Sequence, residues 1–330
     1  MRKICVIPGD GIGPEVMQAC LDVLQAVTSE FRFVETQLGI ESYKKCGKYL
    51  SEETTQIIQN TDACLFGAIT TPPDPNYRSP LLALRQGMHL YANLRPVYQF
   101  LPDKKKVDIV IVRENTEDLY AGIEANHQGY AVAAKIVSRE ACERIIEFAI
   151  DYAKIHNRKK ITCVHKANVL RKTDGLFASV FQEKMRNEEH LIGEELYVDT
   201  CALKLVTAPE NFDMIVTLNL YGDILSDLAA GLIGGLGFAP SANLGESYAI
   251  FEPVHGSAPD IAGKGIANPT AMILSGAMML DYFGFYEAAD KIRNGIASLY
   301  AKGIKTKDIG GEIGTEKFTE LLIKEIDMEK

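Results

Sequence analysis

Short apolar runs alternate with longer amphipathic segments in the first part of the chain. The apolar runs have the length and composition of β-strands, and the segments between them place apolar residues at helical spacing. In chain order they read "KICVIPG", "PEVMQACLDVLQAV", "FRFVETQL", "SEETTQIIQ" and "DACLFGAI". Because such alternation is typical of βαβ units around a largely parallel sheet, the pattern predicts an α/β fold.

A second series of strand-like runs follows, and it consists of "VDIVIVREN", "KITCVHKAN", "ELYVDT" and "DMIVTLNL". Early in this series, residues 119–138 have strand-like residues on both sides of "NHQGY", which predicts a projecting hairpin. The glycine- and proline-rich stretch "GGLGFAPSANLGE", which begins at Gly234, predicts a long irregular loop with a functional role. Helix-like segments then close the chain.

Composition narrows the class of protein. With 330 residues and a formal charge of −9, the chain has room for one large α/β unit or two ordinary domains. A pI near 5.3 and the lack of a long basic stretch argue against nucleic acid as a partner. No apolar run is long enough to span a bilayer or to form a signal peptide core, and the seven cysteines are scattered singly. These features predict a cytoplasmic protein with reduced thiols and no membrane partner.

The opening stretch "VIPGDGIGPE" is close to the G-x-G-x-x-G signature of dinucleotide-binding loops. The third glycine is missing, because Pro14 stands where it should be when the signature is counted from Gly9. Glu35 lies about where a ribose-binding acid would be expected. Taken alone, the stretch leaves open whether it binds a pyrophosphate.

The clearest local group of chemical residues is a pair of carboxylates in "NLYGDILSD". Asp223 and Asp227 stand four residues apart at the start of a predicted helix, so they share one face and repel each other unless a cation lies between them. By spacing alone, a helix cap followed by an exposed acid is the more common arrangement. Asp199, at the end of the strand-like "LYVDT", could add a third carboxylate. With six histidines and no clustered cysteines, the chain favours Mg²⁺ or Mn²⁺ over zinc.

Three arginines and two proton carriers complete the candidate chemistry: Arg85, Arg95, Arg113, Tyr120 and Lys166. Arg95 and Arg113 are predicted at strand ends, where a planar guanidinium can bind a carboxylate through two hydrogen bonds. A tyrosine or lysine can act as a general acid or base when its surroundings lower its pKa. Each of these residues alone is more often structural. Three arginines beside a carboxylate-bound metal would nevertheless describe a site for a polyanionic hydroxy acid.

A series of short motifs occurs in one order over nearly the whole chain: "IPGDGIGPE", "YANLRP", "RENTEDLYAG", "HKANVL", "TDGLF", "NLYGDILSD", "GGLG", "EPVHGSAPDIAGKGIANP" and "TKDIGG". Through them the chain resembles the metal-dependent β-decarboxylating dehydrogenases, which include isocitrate, homoisocitrate and 3-isopropylmalate dehydrogenases. The resemblance implies an α/β fold that is not the usual Rossmann type, with the active-site cleft between two domains. A large cofactor-binding domain would comprise residues 1–93 and 235–330, and a small domain residues 94–234. Residues 119–138 would form an arm that clasps the partner in a homodimer or tetramer.

The resemblance also implies where the cofactor would bind. The opening "GDGIG" would be a turn at the cofactor cleft rather than a pyrophosphate cradle. Asp260 would accept hydrogen bonds from the ribose hydroxyls and repel a 2′-phosphate, whereas NADP-using members of the family tend to have Lys-Tyr at Asp260-Ile261. The implied cofactor is therefore NAD. Its implied contacts are Ile12, Thr70, His255, Gly256, Ser257, Ala258, Asp260, Ile261 and Asn268.

The implied reaction is an oxidative decarboxylation at a site shared between subunits. Asp223 and Asp227 of one subunit and Asp199 of the other would hold Mg²⁺ or Mn²⁺, and Lys166 would also reach the site from the partner. Lys166 would help to remove the proton of the 2-hydroxyl, and Tyr120 would protonate the enol. The carboxylates of the substrate would be held by Arg85, Arg95 and Arg113.

The identity of the acid depends on "TTPPDPNYRSPLLALRQ". Arg78 and Ser79 match the isocitrate enzymes, but Leu81 replaces their asparagine, and Leu81-Leu82 is similar to the apolar pocket of isopropylmalate enzymes. This mixture suggests a distal carboxylate recognised by Ser79 and Arg78 beside a roomier apolar wall. The expected substrate is isocitrate, homoisocitrate or both, with 3-isopropylmalate as the alternative. A further alternative is a regulatory subunit that binds ligands without turnover, although such subunits usually lose the tyrosine, the lysine or an aspartate.

Overall fold

A ten-stranded sheet forms the centre of the molecule. Within residues 1–73, 77–102 and 104–328, which a computed structural model describes, ten strands form this sheet and two form a separate hairpin. The strands are β1 (Arg2–Gly9), β2 (Phe31–Glu35), β3 (Ala63–Ala68), β4 (Ala92–Tyr98), β5 (Asp108–Glu114), β6 (Glu124–His127), β7 (Tyr130–Ala133), β8 (Lys160–His165), β9 (Ile192–Tyr197), β10 (Met214–Thr217), β11 (Pro240–Leu244) and β12 (Ala249–Pro253).

The sheet has two parallel halves joined by antiparallel strands. Its order is β2-β1-β3-β12-β11-β4-β5-β10-β8-β9. Strands β2, β1, β3 and β12 are parallel, as are β5, β10, β8 and β9, whereas the pairs β12–β11, β11–β4 and β4–β5 are antiparallel. Most of the predicted candidate residues follow the carboxyl ends of strands in these halves, where ligands bind in open α/β sheets.

Eleven helices surround this sheet within the described ranges. They are α1 (Gly13–Val27), α2 (Ile40–Cys46), α3 (Glu52–Gln59), α4 (Pro80–Gly87), α5 (Arg139–Ile155), α6 (Thr173–Met185), α7 (Val198–Thr207), α8 (Asn219–Leu232), α9 (Thr270–Tyr282), α10 (Tyr286–Ala301) and α11 (Thr315–Met328). Helix α9 is apolar on all sides and nearly all of it is buried, because it packs against α1 and α10 and against β11 and β12. In the described part of the chain, no helix combines the length and apolarity needed to cross a membrane.

Two local predictions about this sheet were wrong. The glycine-rich stretch after Gly234 is not a long loop, since β11 lies within it and takes a buried central place between β12 and β4. Pro240 is the first residue of that strand, a position where a missing N–H does little harm. Arg95 does not stand at a strand end but in the middle of β4, because the pairing of β4 with β5 continues through Tyr98.

The hairpin predicted within residues 119–138 is present, and we call residues 119–138 the arm. Its strands β6 and β7 pair antiparallel around Gln128 and Gly129, and both strands are exposed along their whole length. At the base of the arm, Asp118 pairs with Ile136. The proposed domain boundary at residues 93 and 94 falls inside β4, so one continuous sheet runs through both predicted domains.

Candidate active site

Two buried arginines extend from one face of the neighbouring antiparallel strands β4 and β5. Arg113 pairs in register with Asn93, and Arg95 lies two residues further along the same strand face. The guanidinium of Arg113 donates from Nε and Nη2 to Asn219 Oδ1, over 3.0 and 2.7 Å. Arg95 Nη1 donates to Ser226 Oγ over 2.5 Å. Both acceptors lie on α8, so this helix fixes the directions of both guanidinium groups.

The carboxylate pair, Asp223 and Asp227, lies on α8 beside these arginines. Asp223 accepts hydrogen bonds from Arg113 Nη1 and from the Tyr120 hydroxyl, the latter over 2.7 Å. Arg95 Nη1 lies 3.6 Å from Asp223 Oδ1 and 3.7 Å from Asp227 Oδ1, so it bridges the two acids. The guanidinium of Arg113 also lies over the Tyr120 ring, 5.1 Å from its centre. Four residues that were predicted to bind substrate, to act in catalysis or to bind metal therefore meet around Asp223: Arg95, Arg113, Tyr120 and Asp227.

The surroundings shift the pKa values of Asp223 and Asp227 in opposite directions. Burial opposes the ionisation of Asp223, but Arg113, Tyr120 and Arg95 outweigh it and lower the pKa of Asp223. For Asp227, burial raises the pKa by more than Arg95 lowers it. Burial, together with the nearby Arg113, lowers the pKa of Arg95 to about 10. Burial and the hydrogen bond to Asp223 raise the pKa of Tyr120. A cation placed at the carboxylate pair would favour the ionised form of Asp227.

Gly222 makes this arrangement possible. A Cβ atom at this position would lie 2.5 Å from Arg113 Cγ and 2.7 Å from its Cβ, so only glycine lets the arginine stem pass so close to α8. The sequence pattern predicted a helix that starts at Asp223, whereas α8 begins earlier, at Asn219. The pattern also missed Asn219 and Ser226 as partners of the arginines, because neither residue type at that spacing carries a distinctive signal.

Lys166 and Asp199 lie together but apart from the carboxylate pair. Lys166 follows β8, Asp199 is in the first turn of α7, and Nζ and Oδ1 are 2.7 Å apart. Among the described residues, no three His, Cys, Asp or Glu side chains group as a metal site. The side chain of Asp199 is 67% exposed, so it is free to face a second subunit. One chain alone thus brings together two of the three predicted metal ligands.

The remaining predicted substrate residues lie on α4 and just before it. Arg85 Nη2 donates to the buried Glu252 Oε1 over 2.7 Å, a partner that the sequence reasoning did not anticipate. Ser79 caps α4, since its Oγ accepts from Leu82 N over 3.4 Å, and Arg78 is exposed. Part of the predicted specificity segment, residues 74–76, lies outside the described residues.

The predicted cofactor residues come together from three separate loops. Thr70 Oγ1 donates to Ser257 Oγ over 2.7 Å, and Ile12 N donates to the Ser257 carbonyl over 2.8 Å. Asp10, which the sequence reasoning did not single out, accepts from Thr70 N over 2.9 Å. The "GDGIG" turn is therefore anchored to the loop after β12, while the Ile12 side chain is buried in the core.

The rest of that loop presents polar groups at its surface. Gly256 and Asp260 are exposed, and Ala258 and Ile261 are half-buried. Asn268 is buried and donates to Asp308 Oδ2 over 3.1 Å. Within the described chain, the Nε2 atom of His255 is buried without a hydrogen-bond partner, and burial lowers the pKa of this histidine. A neutral imidazole with a free ring nitrogen suits a polar ligand such as a dinucleotide.

The donors present fit both implied groups. Asp223 and Asp227 offer oxygen ligands of the kind that Mg²⁺ and Mn²⁺ prefer, provided that a third carboxylate comes from a second subunit. The unpartnered His255 nitrogen and the exposed Asp260 carboxylate fit a dinucleotide.

Comparison with known proteins assigns the chain to a class of enzymes. Residues 3–322 match the family described as isocitrate/isopropylmalate dehydrogenase. The chain belongs to this family of β-decarboxylating dehydrogenases and is an oxidoreductase of that class. The family and the α/β fold inferred from the motifs are thereby confirmed.

Particular relatives differ in their named substrates. The homoisocitrate dehydrogenase of Methanocaldococcus jannaschii is 49% identical, over 96% of this chain and 95% of that protein. The 3-isopropylmalate/3-methylmalate dehydrogenase of the same organism is 48% identical, over 99% of both proteins. The crystal structure of isocitrate dehydrogenase from Methylococcus capsulatus superposes with a TM-score of 0.96 at 43% identity, over 99% of both chains. Similarity alone therefore leaves the substrate open.

Proposed function

We propose that the protein oxidises and decarboxylates a (2R,3S)-2-hydroxy-3-carboxy acid with NAD, giving the 2-oxo acid, CO2 and NADH. The proposed substrate is isocitrate, homoisocitrate or both. The observation that carries the proposal is the meeting of Arg95, Arg113 and Tyr120 around Asp223, with Asp227 beside it. This group brings together guanidinium groups that can bind anions, a proton donor and paired carboxylates.

The side chains of the protein have distinct roles in this reaction. Arg85, Arg95 and Arg113 bind and orient the carboxylates of the acid, which fixes the carbon that loses its hydride. Lys166 of the partner subunit accepts the proton of the 2-hydroxyl, and the Tyr120 hydroxyl delivers a proton to the enol carbon after CO2 leaves. When bound, the divalent ion supplies positive charge beside the developing enolate, and the nicotinamide supplies the hydride acceptor.

The choice of acid rests on the segment before Arg85. Ser79 and Arg78 are proposed to recognise a distal carboxylate, and the exposed position of Arg78 leaves its guanidinium accessible. Leu81 is half-buried, packs against a buried apolar cluster that includes Phe66 and Leu84, and offers an apolar wall. This wall supports 3-isopropylmalate as the alternative substrate. Discrimination over one methylene is worth only about 1–3 kcal/mol in an apolar pocket, so activity with both isocitrate and homoisocitrate is expected.

A homodimer is part of the proposal because it supplies Asp199 and Lys166 to the site of the partner. Large apolar side chains are exposed on the arm and on two neighbouring helices, a pattern typical of a covered interface. They are Ile123, Tyr130 and Val132 on the arm, Leu203 and Val206 on α7, and Ile224 on α8.

The proposed function is tested by measuring NADH production with Mg²⁺ and NAD. We expect kcat/KM for isocitrate or homoisocitrate to exceed that for 3-isopropylmalate, and activity to be lost with a chelator and restored by Mn²⁺ or Mg²⁺. A preference for 3-isopropylmalate would mean that Leu81 and Leu82 govern the pocket. Binding of the acid without turnover would instead identify a regulatory subunit.

NAD preference has its own test at Asp260. Replacing Asp260 by Lys and Ile261 by Tyr exchanges a carboxylate that repels a 2′-phosphate for a cation that pairs with it. We expect the ratio of kcat/KM with NAD to that with NADP to fall by at least about tenfold, equivalent to about 1.4 kcal/mol. The change Lys264→Met in the same loop is the control. An unchanged ratio in the Asp260/Ile261 variant would show that Asp260 does not contact the cofactor.

A further inference from the structure

A buried cluster of four side chains joins the arm to Lys166 and to α8. The cluster comprises Lys135 at the end of the arm, Asp118 before it, Asp174 on α6 and Tyr221 on α8. The exposed fraction of the side chain is 12% for Lys135, 1% for Asp118 and 0% for Asp174. Charged groups are rarely buried to this extent unless they are paired. None of these residues belongs to the group that meets around Asp223.

Asp174 holds three separate parts of the chain. Its Oδ2 accepts from the backbone N–H of Lys166 over 2.7 Å and from the Tyr221 hydroxyl over 3.0 Å. Its Oδ1 lies 2.8 Å from Lys135 Nζ. A single carboxylate thus fixes the backbone of Lys166 relative to the first turn of α8, the helix that carries Asp223 and Asp227.

Lys135 brings the base of the arm into the same network. Its ammonium lies 3.5 Å from Asp118 Oδ1 and 4.3 Å from the centre of the Tyr221 ring. Asp118 accepts from Leu220 N on α8 over 2.9 Å. Lys135 is therefore a cation shared by two buried acids and an aromatic face, and it ties the arm to both helices.

The backbone conformation of Asp118 indicates that this cluster has a functional role. Its φ of 70° and ψ of −149° lie in a region that is normally reserved for glycine. Such strain persists only where the surrounding contacts impose it, and it is concentrated at functional positions. Here the contacts are those with Leu220 and Lys135.

We propose that Asp174 is a positioning residue for Lys166. Because Lys135 contacts both Asp174 and Asp118, the position of Lys166 then depends on how the base of the arm packs against these two acids. This inference rests on the proposed function, in which Lys166 acts in the site of the partner subunit. The packing of the arm on the partner is then coupled to the placement of Lys166 in the site of that partner.

The test uses the full-length protein with the changes Asp174→Asn and Lys135→Met, singly and together. An asparagine has only one acceptor oxygen. If that oxygen faces Lys166 N and the Tyr221 hydroxyl, its NH2 group faces the Lys135 ammonium, and in the reverse orientation both hydrogen bonds are lost. Lys135 keeps Asp118 as a partner in either case. In these variants we expect kcat to fall about tenfold to a hundredfold with little change in KM, since a small displacement of a side chain near the reacting atoms has an effect of this size. The isotope effect with a 2-deuterated acid should rise, because the step that Lys166 serves becomes slower.

The double variant should be no slower than Asp174→Asn, because both changes interrupt the same connection. The control is Lys154→Met on α5, where an exposed lysine pairs with Glu188 over 2.9 Å. This control should leave kcat and the isotope effect unchanged. If Asp174→Asn loses thermal stability while kcat and the isotope effect stay unchanged, the cluster only stabilises the fold, and the proposal is overturned.

A second readout does not need turnover. Trace labelling of amines with acetic anhydride, followed by peptide mass spectrometry, compares Lys166 with Lys154 in the wild-type protein and in the Asp174 and Lys135 variants, all of which keep both lysines. We expect the relative labelling of Lys166 to rise several-fold in Asp174→Asn, and unchanged labelling would contradict the proposal. If the wild-type protein turns over none of the three acids, the proposed function fails, while this measurement still decides whether Asp174 positions Lys166.

Discussion

At the scale of single residues, the site depends on how closely Arg113 approaches α8. Its side chain runs against Gly222 and ends on Asn219 and Asp223, so one glycine sets the distance between β5 and the carboxylate pair. Arg113 is 1% exposed and cannot move into solvent to relieve a clash. The position therefore tolerates almost no added volume.

Gly222→Ala is expected to destabilise the protein and to displace Arg113. Adding a methylene-sized group to a packed position costs about 1–3 kcal/mol. The matched control is Gly231→Ala on the same helix, where a Cβ meets nothing within 4 Å. That change should be neutral or stabilise the protein by up to about 1 kcal/mol. Thermal unfolding and kcat/KM check both, and equal behaviour of the two variants would contradict this role of Gly222.

The sequence identified many single residues but few of their partners. Arg95, Arg113, Tyr120, Asp223 and Asp227 were predicted from motifs, and the structure brings them together. That Arg85 would pair with Glu252, or that Asp10 would anchor Thr70, could not be predicted. Such pairs are far apart along the chain, and spacing alone carries no information on contacts that depend on the tertiary fold.

At the scale of elements, periodicity predicted most strands and helices but failed where tertiary contacts override composition. Strand β11 is rich in residues typical of turns and becomes a strand because β12 and β4 satisfy its backbone on both sides. The arm was predictable because its turn residues are local. Gly129, with φ of 88°, provides the left-handed conformation that the turn requires.

Gly129→Val should weaken the proposed dimer without unfolding the rest of the protein. A β-branched residue at positive φ costs about 1–2 kcal/mol, and part of this strain would be relieved by distortion of the arm. We expect the dimer dissociation constant to rise by about tenfold, which corresponds to 1.4 kcal/mol. Analytical ultracentrifugation measures this constant, and Gln128→Val supplies the same side chain on the neighbouring residue. Similar constants for both variants would argue against a role of the arm in assembly.

At the scale of the whole molecule, the separation of Lys166 and Asp199 from Asp223 and Asp227 predicts that one chain is catalytically incomplete. Mixing inactive Tyr120→Phe protein with inactive Lys166→Ala protein should restore activity after subunit exchange. In hybrid dimers one site receives an intact tyrosine and an intact partner lysine. If half of the dimers are hybrids, about a quarter of the wild-type activity returns. Recovery of none would count against shared sites.

The placement of β11 and β12 has a consequence for synthesis of the protein. Both strands are made late, yet they lie between β3 and β4, which are made early. While the ribosome is still translating the middle of the chain, the neighbouring edges of β3 and β4 have no strand to cover them, and open edges are templates for aggregation. The nascent chain therefore cannot complete its central sheet during most of translation, and it is during this period that a chaperone would be of most use.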